Sequence, residues 1–152
     1  MERMTPIHLY TIGFTQKTAE QFFTLLQANG VSVLVDTRLK PDSQLSGFAK
    51  GRDLPYLLRN LIHCDYLHQP LMSPTDELLN RYREDKSWAN YERDFNRLLN
   101  ERNLIVHLDR AWWAAHPACL LCSEHEPDHC HRRLVAEYMA AHWPEVRIIH
   151  LM

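Results

Sequence analysis

The sequence predicts an α/β fold of three layers, a mostly parallel central sheet flanked by helices, in a single domain over residues 1–152. Three observations carry this. Strand-like and helix-like segments alternate along the chain, and a strand-helix-strand unit stands near each end of it. The composition, 45% hydrophobic and 24% charged, is that of an ordinary globular domain. A chain near this length buries about 68–70% of the surface its unfolded form exposes, so one core suffices without covalent staples.

His8-Leu9-Tyr10-Thr11-Ile12 reads as a short strand stopping at Gly13. Thr18 to Asn29 reads as an amphipathic helix, because Phe22, Leu25, Leu26 and Asn29 fall at helical spacing and Gly30 follows as a stop. Val31 to Asp36 is a nearly continuous β-branched run ending in a carboxylate, the pattern of a strand buried on both faces. Arg38 to Arg52 is polar and interrupted by Pro41, Gly47 and Gly51, which predicts an irregular loop.

Leu54 to Ile62 reads as a helix, Asp65 to His68 as a brief strand, and Thr75 to Glu84 as a helix. Ser87 is placed to cap another helix running to about Arg102, with Trp88, Tyr91, Phe95, Leu98 and Leu99 on one face. For Leu104 to Trp113, Leu104-Ile105-Val106 alone suggests a strand, but the spacing of Leu104, Leu108 and Trp112 favours a helix. Pro117 to Cys122 is an apolar strand, Ser123 to Asp128 a polar turn, His129 to Trp143 a helix, and Val146 to His150 a final strand.

Composition also excludes function classes. No apolar run approaches the roughly 18–20 residues that cross a bilayer, and Met1 to Pro6 lacks the apolar stretch of a secretory signal, so a cytoplasmic protein without membrane contact is expected. Lys and Arg number 17 against 19 Asp and Glu. A basic surface for nucleic-acid phosphates is therefore not expected, and nucleic acid stays open only as a locally recognised ligand. The chain carries ten histidines, whose complete protonation would move its net charge from −2 to +8. Its field thus depends on pH near neutrality.

In an open parallel sheet, ligands bind beyond the carboxyl ends of the strands. Three segments deliver polar residues there: Thr11 to Gly13, Asp36 to Arg38, and Cys122-Ser123-Glu124 with Cys130-His131-Arg132 opening the next helix. A cysteine in that first helical turn, beside an arginine, has the surroundings that lower a thiol pKa, and the same groups can grip an anion. The candidates for chemistry are Cys122, Glu124, Cys130, His131 and Asp36; those for binding substrate are Thr11, Gly13, Arg38 and Arg132. Asp36 and Arg38 share one strand face, so an ion pair between them is equally open, and Gly13 equally serves a tight strand exit.

Several alternatives meet obstacles. Cys119-Leu120-Leu121-Cys122 has the spacing of a redox pair, but residues three apart on a strand point to opposite faces, which makes Cys119 a buried hydrophobe. Cys122, His125, His129, Cys130 and His131 cluster in sequence without a ligand spacing, and Cys130 and His131, as neighbours on a helix, would diverge by about 100°. No metal is assigned. Glycine-rich nucleotide motifs and a G-x-S-x-G elbow are absent, so no cofactor is assigned. Trp88, Tyr91 and Phe95 read mainly as a packed face, while Trp112 and Trp113 cannot share one, leaving one of them for a surface.

Cys122-x-Glu124 followed by Cys130-His131-Arg132 resembles the signature of the bacterial and archaeal family called domain of unknown function 488. The likeness runs from about Tyr10 to Leu151 and includes Thr11-Ile12-Gly13, Asp36-Thr37-Arg38 with Pro41 and Ser43, Phe48, Tyr66 to His68, and Ala136 to Tyr138. Many members look like T-I-G-H-S where this chain has Phe14 and Thr15, so a histidine there is not essential to it. Many read D-V-R at Asp36-Thr37-Arg38. The resemblance implies an α/β fold and a shared polar site, without a reaction.

The residues favour an enzyme acting on a small anionic or nucleotide-like substrate, with Cys122 or Cys130 as nucleophile or redox thiol. A non-catalytic module binding a nucleotide or nucleic-acid end, and a zinc-binding or interaction protein, are the alternatives. The oligomeric state is not legible.

Overall fold

Alternation along the strands decides which side chain enters which half of the core. The computed structural model describes residues 5–152, so the predicted absence of a secretory signal falls partly outside the described residues, at 1–4. Five strands form one sheet: β1 (Ile7–Gly13), β2 (Val33–Asp36), β3 (Asp65–His68), β4 (Ala118–Cys122) and β5 (Val146–Leu151). Their order is β3-β2-β4-β1-β5 and every adjacent pair is parallel. Leu9, Val33, Val35 and Leu120 face one side of the sheet; Tyr10, Ile12, Leu34, Cys119 and Leu121 face the other.

Six helices cover the two faces. Helices α1 (Ala19–Ala28) and α2 (Leu54–Ile62) bury Phe22, Leu26, Leu54 and Leu58 on the second side. On the first side lie α3 (Asp76–Asp85), α4 (Trp88–Glu101), α5 (Arg110–Ala115) and α6 (His131–His142), through Leu78, Phe95, Trp113 and Leu134 among others. Among the described residues, no helix is long and apolar enough to cross a membrane.

Local chemistry sets the helix starts. The Thr18 hydroxyl accepts the Gln21 amide at 3.1 Å while the Gln21 side chain accepts the Thr18 amide at 2.9 Å. This reciprocal cap satisfies two amides that helix geometry leaves unpaired. Thr75 and Ser87 cap α3 and α4, each hydroxyl accepting at 3.2 Å. Gly30 closes α1 at φ +67°, a backbone angle that side chains disfavour.

The continuous helix expected over Leu104 to Trp113 is instead two pieces. A 3-10 turn covers Leu104–His107, and α5 starts afresh where the Asp109 carboxylate accepts the Ala111 and Trp112 amides. An aspartate placed to cap both amides is a stronger local signal than the apolar spacing that crosses it. Strand β2 begins at Val33 rather than Val31. Trp113 is buried, and Trp112 is half-buried with its ring stacked on His116 at 4.7 Å.

The crossovers also locate the site. The chain leaves β2 through α2 toward β3 on one face, and leaves β4 through α6 toward β5, the opposite direction, on the other. The two connections diverge from adjacent strands, and the crevice between those strand ends stays uncovered.

Candidate functional site

The strand ends beside that crevice are Asp36-Thr37-Arg38 after β2 and Cys122-Ser123-Glu124 after β4. A cleft of about 480 Å³ opens there, within the size range of small-molecule sites. Its floor carries Cys122, Cys130 and His131, all buried.

Thr37 orients His131. The Thr37 hydroxyl donates to the Leu121 carbonyl at 2.7 Å, so toward the imidazole it can only accept. His131 Nε2 lies 2.9 Å from that hydroxyl oxygen and 2.8 Å from the Thr37 carbonyl, and Nε2 must therefore carry the hydrogen. The lone pair is left on Nδ1, 3.4 Å from Cys122 Sγ. Phe95, fully buried on α4, packs its ring 5.5 Å from the imidazole and holds the remaining face.

Burial by itself raises the Cys122 thiol, but the hydrogen bond from the Cys130 thiol, the Arg132 charge and the amides of Glu124 and Ser123 outweigh it. Cys122 ends below its ordinary value. Cys130 moves well above, through burial and through donating to Cys122. The pair is thus polarised, with Cys122 the more acidic of the two thiols. Cys119 points to the opposite face of the sheet, and burial pushes its thiol well up; Cys64 is pushed up to about 12 in the same way.

Cys130 is not the first helical residue but the N-cap of α6, with φ −136° and ψ 138°. That extended backbone removes the objection that adjacent helical side chains diverge: among the described residues, Cys122, Cys130 and His131 form one cluster, their ligating atoms all within 4.8 Å.

Arg132 takes a different place from the cleft. It is fully buried, donating from Nε to Thr11 Oγ1 at 3.2 Å, from Nη2 to the His125 carbonyl at 3.1 Å, and from Nη1 to the Glu124 carbonyl. It clamps the loop after β4. Thr11 Oγ1 also hydrogen-bonds with His150 Nδ1 at 2.6 Å. Gly13 lets that loop close: a Cβ there would sit 1.7 Å from the Glu124 carbonyl oxygen. The Glu124 side chain is exposed at the cleft edge.

Asp36 and Arg38 pair through two bonds, Nε to Oδ1 at 2.8 Å and Nη2 to Oδ2 at 2.7 Å, with the Arg38 amide also on Oδ1 at 3.1 Å. The Tyr66 hydroxyl donates to Oδ2 at 2.5 Å, and burial with that bond pushes its own ionisation up. Burial works against the Arg38 charge, but Asp36 more than restores it. The guanidinium lies 5.3 Å above the Phe14 ring and reaches the cleft wall.

Residues not singled out for the site from sequence complete it. Thr37 fixes the histidine; Tyr82, Trp88, Tyr91 and His129 form an aromatic wall, with Trp88 stacked on His129 at 5.0 Å and on Tyr91 at 5.1 Å. The stripe beginning at Trp88 is therefore both packing and cleft lining. Lys40 and Arg83 stand at the rim. Among the histidines, His129 and His131 line the cleft, while His68 contacts the Arg38 carbonyl at 2.8 Å and His125 contacts Lys17 at 3.2 Å.

The family model described as domain of unknown function DUF488 matches residues 18–139. The chain belongs to this family. The matched span of the DUF488 domain contains Asp36 to Arg38 and Cys122 to Arg132, while Thr11 and Gly13 precede it. Among curated proteins and among solved structures, nothing matches the chain.

Proposed function

We propose that this DUF488 protein is a cytoplasmic enzyme in which Cys122 attacks a small anionic or nucleotide-like substrate held in the cleft. The observation that carries the reading is the Cys122–His131 pair: a thiol at 3.4 Å from an imidazole nitrogen whose tautomer Thr37 fixes, at the floor of a cleft. Nucleophile, base and orienting group in that series are the parts covalent catalysis needs. His131 Nδ1 takes the Cys122 proton, Sγ bonds to the electrophilic atom of the substrate, and the proton passes on to the departing group. Cys130 donates to the sulfur between turnovers and drops that bond on attack.

Substrate class follows from the walls. Trp88 and His129 offer flat aromatic surface to a planar group, and Arg38, Lys40 and Arg83 offer positive charge to an anionic one. Asp36 acts through Arg38, and Arg132 by holding the loop that supplies the Ser123 and Glu124 amides. A cytoplasmic setting suits four free, buried cysteines.

Alkylation kinetics test the reading. In metal-free, reduced protein, iodoacetamide should label Cys122 faster at neutral pH than a model thiol, and His131→Gln should abolish the advantage. Labelling no faster than the model thiol would end the nucleophile role. Binding of nucleoside monophosphates that Cys122→Ser leaves unchanged, with no turnover of any by the wild-type protein, would favour a binding module instead.

A further inference from the structure

The three side chains at the cleft floor also meet the requirements of a metal site. Zinc binds thiolate sulfur at about 2.3 Å and imidazole nitrogen at about 2.0–2.1 Å in a tetrahedron, which separates sulfur from nitrogen by about 3.5 Å. Cys122 Sγ and His131 Nδ1 are 3.4 Å apart, and Cys130 completes a set whose ligating atoms lie within 4.8 Å. The ring nitrogen facing the sulfur bears the lone pair, because Nε2–H is committed to Thr37. A ligating histidine whose other nitrogen donates to a backbone carbonyl is the usual outer arrangement of protein zinc sites.

We propose that Cys122, Cys130 and His131 form a three-ligand zinc site whose fourth position opens onto the cleft. Two sulfurs and one imidazole select a thiophilic cation over magnesium or calcium. All three ligands are at most 7% exposed, so little reorganisation accompanies binding. On binding, the Cys122 and Cys130 thiols release their protons to solvent, and both sulfurs and Nδ1 direct lone pairs at the ion.

The consequence for the proposed chemistry, on which this part of the inference rests, is regulation. Coordination draws the Cys122 electron density toward the ion and takes the His131 lone pair that would accept the proton, so zinc occupancy opposes covalent turnover. The open position admits water or an anionic ligand from the cleft.

The test uses the full chain, reduced and stripped with a chelator, titrated with zinc against a chromophoric competitor. One zinc per chain is expected, with binding weakened by about 100-fold or more in Cys130→Ser and in His131→Gln, and about 10-fold in Thr37→Val, which perturbs only the outer arrangement. Uptake below about a tenth of an ion per chain by the wild-type protein would overturn the site, since structural zinc is normally stoichiometric. So would uptake that neither ligand substitution changes. Cobalt supplies a readout free of any substitution: tetrahedral thiolate coordination gives intense visible bands, and a spectrum of octahedral cobalt would refute the geometry. Zinc should also protect Cys122 from iodoacetamide. Labelling of the metal-free protein judges the nucleophile by itself, so either idea can fail while the other stands.

Discussion

Thr37 and His131, 94 residues apart in the chain, meet at the end of β2, where the threonine presents both its hydroxyl and its carbonyl oxygen to one ring nitrogen. Thr37→Val keeps the shape and the carbonyl but removes the hydroxyl, along with its bond to the Leu121 carbonyl. Loss of about 1–3 kcal/mol is expected from stranding these buried partners, measured by urea unfolding. Iodoacetamide labelling of Cys122 should slow as well, and Thr37→Ser should restore it. A stability loss with unchanged labelling would reduce Thr37 to a packing role.

Gly13→Ala should cost about 3 kcal/mol or more, at the upper end of what overpacking does. The added carbon would occupy the place of the Glu124 carbonyl oxygen, 1.7 Å away. The backbone of a strand tolerates alanine, so the whole cost is steric, and it falls on the loop whose amides face Cys122. The midpoint of urea unfolding checks it; a near-neutral result would mean that the loop yields freely.

Asp36→Asn leaves the Arg38 charge, 5% exposed, without its carboxylate. Removing one partner of a buried pair typically costs about 3–5 kcal/mol. Replacing both Asp36 and Arg38 with uncharged residues should cost less than the sum of the two single replacements, which a double-mutant cycle in thermal unfolding measures.

His150 should give the fold an acid-sensitive limb. Burial, then the Arg132 charge, hold its ring below the ordinary value. In the unfolded chain it protonates near about 6.5. Between that value and the lower folded one, the unfolded state binds the extra proton, so stability is complete above about 6.5 and declines as the pH falls through the folded value. Unfolding midpoints compared at about pH 8 and about pH 5.5 should differ less in His150→Gln than in the wild-type chain; an equal difference in both would rule out this group as a source.

What was legible in the sequence was what short-range chemistry decides. Ser87 announces its helix because a cap acts on an amide three residues away. The β-branched run ending at Asp36 announces a strand covered on both faces. The strand ends were identifiable as the site because parallel topology leads there. What the side chains do at those ends was less visible. Arg132 turns inward because Thr11, 121 residues earlier, and two loop carbonyls wait for it. Cys130 and His131 converge because the helix begins at His131, two residues after the expected start at His129, and the extended Cys130 backbone redirects its side chain.

Strand β1 lies between β4 and β5, so both of its neighbours come from segments more than a hundred residues further along. A chain leaving the ribosome therefore offers β1 long before anything can pair with it. Pairings at such separation form slowly, and one edge of β1 stays bare until β4 has been made and the other until β5 has. The groups that act on Cys122, from Ser123 to Arg132, all follow it in the chain, so its thiol acquires its character only after they have been made and folded.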